Sequence, residues 1–347
     1  MLETFGHALQ RTATVRDVAA TVARMNLLDA MRYLAALAQH RHFGRAAEAC
    51  HITQPALSNA VRALEQEFGV TIVRRSRQYE GLTPEGERVL ASAHRMLHER
   101  EALRQDLCAS VDRPGGPLVI ACVPTAVPVA ARLAARLRER HPDIRPSVRS
   151  LSSAEIETGL EQLSFDLALG YVDRARARSI KAQVLSTYRE RYVLLRRRDA
   201  SSVPAEPAPM RWADAARLDL CMLTREMHNR HIVDAAFARA GAVVQPVIET
   251  NSVLTLMLTV LEGRVCSVMP GVLAALARQY PALELVPLVE PDLTVTMGLL
   301  LPRGGRLSLA QQAATALAAD AAWWRGVVGT ADAAVHHSPA VSDGSAM

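Results

Sequence analysis

Lysine is nearly missing from this 347-residue chain: Lys181 is the one example, and arginine carries the rest of the positive side-chain charge. Schiff-base chemistry would therefore have to use Lys181, which stands in a basic, alanine-rich stretch. Cysteine is sparse too. Cys50, Cys108, Cys122, Cys221 and Cys266 are scattered with no C-x-x-C pair, which argues against a disulfide framework or a zinc site and fits a reducing cytosol. The longest apolar run, Val253 to Leu261, is far short of the roughly 20 residues that span a bilayer, and no charged-then-apolar signal peptide opens the chain. There is no phosphate loop, dinucleotide fingerprint, H-E-x-x-H or nucleophile elbow, so nothing calls for an enzyme or a cofactor. A net charge of +5 is too modest to mark an architectural protein that holds nucleic acid by charge alone.

What is present centres on residues 43–69. This stretch reads as two short helices joined by a tight turn, the second carrying a polar outer face. Thr53 is placed to cap the second, with Pro55 in the first turn, where a missing N–H costs nothing. Leu57, Val61, Leu64 and Phe68 then form one apolar stripe, and Pro55, Ser58, Asn59, Arg62 and Gln66 fall on the opposite face. Short donors and acceptors with a single arginine suit a helix that reads base edges in a major groove. The rival reading is an ordinary helical hairpin with a solvated face. Ile72 to Thr83 then has the pattern of a hairpin wing, whose Arg74, Arg75 and Arg77 would bond phosphate oxygens.

The stretch resembles the LysR-type transcriptional regulators, whose pattern runs F-x-x-A-A-x-x-L-x-x-T-Q-P-A-L-S, L-E-x-x-L-G, L-F-x-R and L-T-P-x-G. Here it is carried by Phe43, Ala46, Ala47, Thr53 to Ser58, Leu64, Glu65, Arg75 and Leu82 to Gly86. Cys50 stands for the usual Leu, Val73 for Phe, and Gln78 and Gly81 stand where Arg is common, a loss that Arg74 and Arg77 would restore. The resemblance implies a winged helix-turn-helix on a double-stranded operator, with Thr53, Gln54, Pro55, Ser58, Asn59 and Arg62 at the DNA. It also implies a homodimer, assembled further into a homotetramer, with RNA polymerase as a further candidate partner. The run His42 to Leu90 resembles members associated with formate dehydrogenase gene clusters, which points to formate as the effector.

Thr83-Pro84-Glu85 opens another helix, along which Val89, Ala93, Met96, Arg100, Leu103 and Leu107 step as a heptad seam, broken at Arg100. A seam there would join two chains, so that two reading helices meet two half-sites. A helix packed on its own domain is the alternative. Pro114-Gly115-Gly116-Pro117 ends it as a hinge.

Beyond the hinge strands and helices alternate, as in an α/β fold. Strands are expected at Leu118 to Val123, Pro146 to Leu151 and Phe165 to Leu169, with helices from Pro124 to Arg140 and after Ser152-Ser153. A second unit begins near Tyr188, with strands at 191–195, 220–223, 247–249 and 264–269 and helices at 231–240, 252–261 and 272–279. Strand 294–301 and a Ser308-capped helix containing Trp323 and Trp324 close the chain. Two lobes with two crossings resemble the periplasmic-binding-protein-like effector domain of the same family. Phe165 to Gly170 and Leu261 to Pro270 match two of its segments, with Arg264 in place of a glycine.

Ligands of open α/β sheets bind beyond the carboxyl ends of strands, where helix N-termini point. Thr125, Ser152 and Ser153 are the candidates in the first lobe for a small anionic effector, and Thr224, His228 and Asn251 in the second. Helix capping alone is the rival role for Thr125 and Ser152. His228, expected in a loop, and His231 carry a weaker reading as metal ligands.

The expected layout is a leader (1–24), an all-α winged helix-turn-helix (25–83), a linker and dimerisation helix (84–113) and a two-lobed effector domain (117–325). Lobe I comprises 117–187 and 294–325, lobe II comprises 188–293, and 326–347 forms a disordered tail. The leader is either an extra helix, with Val15, Val18 and Val22 on one face, or sequence upstream of a true start at Met25. The whole reads as a cytoplasmic, effector-switched transcription regulator without enzyme activity. Its rivals are a redox-sensing regulator using Cys122 and Cys266, expected at buried strand positions, and a small-molecule-binding α/β enzyme.

Overall fold

A computed structural model of the chain describes residues 26–75, 79–108, 113–177, 179–198, 207–328 and 336–337. The leader, Met25, Arg77 and most of the expected tail lie outside the described residues. The chain divides into two compact units, Met1–Leu97 and His98–Met347.

Local signals set the helix ends of the first unit. Asn26 caps α1 (Leu27–His40) by accepting from the Leu28 N–H. His42 Nδ1 accepts from the N–H groups of Gly44 and Arg45 at the start of α2 (Phe43–Ala49). Thr53 Oγ1 accepts from the Ala56 N–H at 3.3 Å to open α3 (Gln54–Phe68), which stops at Gly69 with φ 65°. Strands β1 (Val73–Arg75) and β2 (Tyr79–Leu82) pair antiparallel as the wing, and α4 (Pro84–Cys108) follows. Met31, Leu34 and Leu37 of α1 meet Leu57, Val61 and Leu64 of α3 in one core, closed by Ile72, Leu82, Leu90 and Ala93.

Two expectations change here. Phe68 is 41% exposed, because α3 outruns its core by a turn before Gly69. Ala93 is fully buried and Val89 packs on the same core, so those two seam positions are spent inside their own domain. The exposed seam is Met96, Leu103 and Leu107, at 44, 52 and 77%.

In the second unit the chain runs β3 (Gly116–Cys122), a 3-10 turn (Pro124–Ala126), α5 (Val127–Arg140), β4 (Ile144–Ser150), α6 (Ser153–Gln162), β5 (Leu167–Tyr171) and α7 (Val172–Ala177). The long strand β6 (Ala182–Arg197) leads to β7 (Met210–Arg211), α8 (Trp212–Ala215), β8 (Cys221–Leu223), α9 (His228–Arg239), β9 (Ile248–Thr250) and α10 (Val253–Glu262). Then come β10 (Ser267–Pro270), α11 (Gly271–Ala277), β11 (Leu283–Val289), β12 (Thr294–Pro302), α12 (Leu309–Ala318), α13 (Ala321–Val328) and β13 (His336–His337). The main sheet has the order β4-β3-β5-β12-β6-β11-β7, with β10 and β13 also on β6. The first half of β6 pairs with β12 and its last residues pair with β10 and β11, so β6 and β12 are the two crossings between lobes. One core fills lobe I, and two smaller ones flank the end of β6 in lobe II, with Leu194 in one and Leu195 in the other.

Several expected elements are redrawn. The strand expected at 191–195 is the second half of β6. Strand β11 is an element without a clear sequence signal, since Pro281 and Pro287 give it the look of a loop; Pro287 sits exposed in the strand. The C-terminal helix is two helices, because Asp320 Oδ1 accepts from the N–H groups of Ala322 and Trp323 and starts α13 anew. Residues 326–328, expected in a disordered tail, are the last turn of α13 with Val327 in the lobe I core, and His336–His337 pair with β6.

The first unit is held at one close approach. Glu65 Oε1 accepts from the N–H groups of Ile72 and Val73 at 3.0 and 3.2 Å, and the Thr83 N–H donates to the Ile72 carbonyl at 2.9 Å. A β-carbon on Gly86 would overlap that same carbonyl oxygen. Gly86→Ala should therefore lower stability by about 1–3 kcal/mol in urea unfolding. Gly326→Ala, with nothing within 4 Å of the new methyl, should leave it unchanged or raised.

Candidate functional site

In the first unit the buried side of α3 is Leu57, Ala60, Val61 and Leu64. Its opposite side presents Gln54, Pro55, Asn59 and Arg62 to solvent, with Thr53 exposed at the cap and Ser58 half-buried. Arg74 is exposed on β1 and Arg75 is in register with Tyr79 across the wing. Glu65, part of the family pattern in sequence, has a role that the pattern does not reveal: its carboxylate bonds fix the wing to the end of α3.

In the second unit a small cleft opens between the lobes. From lobe I it is lined by Val123, Pro124, Thr125, Ser152, Ser153 and Tyr171, and from lobe II by Leu223, Met227, His228 and Asn229. Four of the six expected effector residues, Thr125, Ser152, Ser153 and His228, thus meet at one place. Thr224 and Asn251 do not line it. Thr224 Oγ1 donates to Glu226 at 2.7 Å, and Asn251 is exposed ahead of the Ser252 cap of α10. Pro124 and Thr125 lie in the 3-10 turn rather than in the α-helix, and His228 is the first residue of α9, not part of a loop.

Capping has already used one serine. Ser152 and Glu155 form a capping box, with Ser152 Oγ donating to Glu155 at 2.8 Å and accepting from its N–H at 3.3 Å. Ser153 is therefore the serine better placed for a ligand. Thr125 is 2% exposed, with Oγ1 3.4 Å from the Tyr171 hydroxyl. Tyr171 and Asn229 were missed from sequence. Tyr171 ends β5 at the carboxyl edge that carries Thr125, and Asn229 adjoins His228 in the first turn of α9.

Charge at the cleft is balanced. Arg174 on α7 pairs with Glu157 on α6, and its Nη1 donates to His228 Nδ1 at 3.4 Å, which puts the neutral ring's proton on Nε2. The His228 ring also stands edge-on to Tyr171, centroids 4.7 Å apart. Burial first, then Arg174 and His231, hold His228 below the usual histidine value. His228 and His231 have ring centroids 6.4 Å apart, and among the described residues no group of three or more His, Cys, Asp or Glu could hold a metal. Cys122 is buried in β3, where burial pushes its thiol up to about 12. Cys266 is half-buried and precedes β10, a correction to its expected buried strand position; its thiol is also pushed up by burial. The two lie in different lobes' cores.

Residues 28–87 match the family model described as bacterial regulatory helix-turn-helix protein, lysR family, and residues 112–323 match the LysR substrate binding domain. The chain belongs to the LysR family of DNA-binding transcription regulators. It is 40% identical over 101 residues to the DNA-binding transcriptional dual regulator OxyR of Escherichia coli, a match over 29% of this chain and 33% of that protein. It is 45% identical over 80 residues to an SDS degradation transcriptional activation protein of a Pseudomonas species, covering 23% and 26% of the two. The chain thus spans about a third or less of the length of these curated LysR relatives. Two solved structures share the LysR fold. A full-length OxyR variant from Pseudomonas aeruginosa matches with TM-score 0.62 at 24% identity, over 88% of this chain and 100% of that one. CbnR matches with TM-score 0.58 at 18% identity, over 85% and 100%. No helix of the described residues is long and apolar enough to cross a membrane.

Because the folded protein holds His228 below its unfolded value, stability is lost as pH falls through that value. Between about pH 7 and pH 5 the wild type should lose thermal stability as the imidazolium forms against Arg174, and His228→Gln should lose less. Thermal unfolding across that window checks it.

Proposed function

We propose that this protein is a homo-oligomeric, cytoplasmic regulator that reads an operator through α3 and its wing and is switched by a small anion in the cleft. The observation that carries the second half is convergence: Thr125, Ser153 and Tyr171 of one lobe and His228 and Asn229 of the other surround one space. The starts of α6 and α9 add backbone N–H groups at that space, each end worth about 0.3–1 kcal/mol to an anion. With Arg174 engaged by Glu157, the donors are mostly neutral, so a singly charged anion suits the cleft better than a polyanion. Formate is the smallest member of that class and the first probe to use.

An anion held by both lobes favours their closed arrangement, and closure that alters the spacing of paired reading helices couples binding to transcription. A tenfold preference for one arrangement corresponds to about 1.4 kcal/mol. The exposed stripe Met96, Leu103 and Leu107 supports a dimer through α4. A redox switch through Cys122 and Cys266 is less well supported, since the two pack in separate lobes and burial raises both thiols.

At the operator, Arg62→Ala should reduce discrimination between sites by about 1–3 kcal/mol. Arg74→Ala should weaken all DNA alike and lower the salt slope by about one unit. Gel shifts at several salt concentrations separate the two, and unaltered site preference for Arg62→Ala would count against the reading face.

At the cleft, Thr125→Val keeps the shape and removes the hydroxyl. It should abolish the formate response while leaving basal operator binding intact. Equal formate affinity in wild type and Thr125→Val by calorimetry would remove Thr125 from the site.

A further inference from the structure

Behind the cleft wall lies a set of polar groups that the effector reading leaves unused. Alternate residues of β6 face inward: Tyr188, Glu190 and Tyr192 are 0, 3 and 3% exposed, whereas Arg189 and Arg191 between them are exposed. Glu190 thus places a carboxyl in the interior where the chain crosses from lobe to lobe, in register with Val295 of β12. Among the described residues, neither Glu190 oxygen nor the Tyr188 hydroxyl has a hydrogen-bond partner.

This group is one side chain from the cleft on two routes. Tyr171, within electrostatic reach of Glu190, has its hydroxyl 3.4 Å from Thr125 Oγ1 in the cleft wall. Tyr192, the inward residue after Glu190, accepts from Asn229 Nδ2 at 2.8 Å.

An ionised carboxylate in such surroundings would be a buried charge with no cation to balance it. Burial pushes Glu190 up to about 8, partly offset by the nearby Tyr188 hydroxyl. The titratable groups around it are neutral. Tyr171 on β5 and Tyr188 and Tyr192 on β6 are all raised by burial, and Cys122 on β3, near Tyr188, is pushed up to about 12. His228 on α9, against the Tyr171 ring, is held toward its neutral form. β12 offers Val295 and α11 offers Val272, both apolar. The nearest cleft cation, Arg174, is engaged by Glu157 and His228.

We propose that Glu190 is a proton-linked positioning residue of the cleft: it must keep its proton for an anion to settle against Thr125 and Asn229, and loss of that proton expels the anion. The inference rests on the effector reading above. A carboxylate at Glu190 and an anion in the cleft would repel through a low-dielectric wall with no unengaged cation between them. Protonated, Glu190 carries no charge to oppose an anion in the cleft. The complex therefore holds one more proton than the ligand-free protein at alkaline pH, and anion affinity falls as pH rises.

The test is calorimetry on the full chain with sodium formate and sodium acetate as probes, from about pH 6.5 to pH 9.5, in wild type and Glu190→Gln. Wild type should lose roughly thirtyfold in affinity between about pH 7 and pH 9.5, the fall expected for one proton titrating near 8. Its binding heat at the alkaline end should vary with the buffer's ionisation enthalpy as one proton is taken up. Glu190→Gln should bind with near-wild-type affinity at neutral pH and show no such fall. Glu190→Met, similar in size, replaces it if the amide variant does not fold. A flat wild-type profile, or the same fall in both proteins, overturns the proposal and leaves the effector reading standing. No binding of either anion at any pH in any of the proteins overturns the effector reading and this proposal with it.

Discussion

One strand has to serve two lobes. The first residues of β6 lie against β12 in lobe I and its last residues against β10 and β11 in lobe II, so one backbone ladder passes through both lobes. Past the register shift opposite Leu299 and Leu300, the strand alternates from Ser186 to Leu194, since a one-residue shift there would exchange its arginines for its tyrosines. That is why Tyr188, Glu190, Tyr192 and Leu194 point one way while Arg189 and Arg191 are exposed. The cleft is a by-product of this geometry. It opens beside the crossing, where β5 ends at Tyr171 and α9 begins at His228.

The cleft follows the same economy of groups. Ser152 closes its own helix with Glu155, Arg174 is held by Glu157, and Thr125 lies beside Tyr171. On the proposed reading, what remains for a ligand is a ring of neutral donors around a small space. Such a ring distinguishes ligands by the geometry of their oxygen atoms rather than by net charge, because each unmet donor costs about 1–3 kcal/mol when buried.

Much of this was legible in the sequence where a local signal and a periodic pattern agreed. Thr53, Pro55 and the stripe from Leu57 to Leu64 specify α3, and Ser152 with Glu155 specifies the start of α6. Legibility ended where tertiary contacts overrode local cues. Pro287 hides β11, Ala93 looks like part of a seam yet fills a core, and Asp320 restarts a helix that hydropathy runs straight through. At the cleft, the lobe I residues could be placed because strand ends and caps are local features. Asn229 could not, since only the folded chain brings α9 opposite β5.

The arginine preference acquires a meaning once the wing is in view. Arg74 is exposed on β1, and residues 1–97 contain no lysine at all. Acylation of lysine side chains, which erases charge, thus has no side-chain target in the unit that meets DNA. A guanidinium stays charged across the whole physiological pH range. On the proposed reading, the charge that the wing offers to phosphate is therefore untouched by acyl donors that act on lysine.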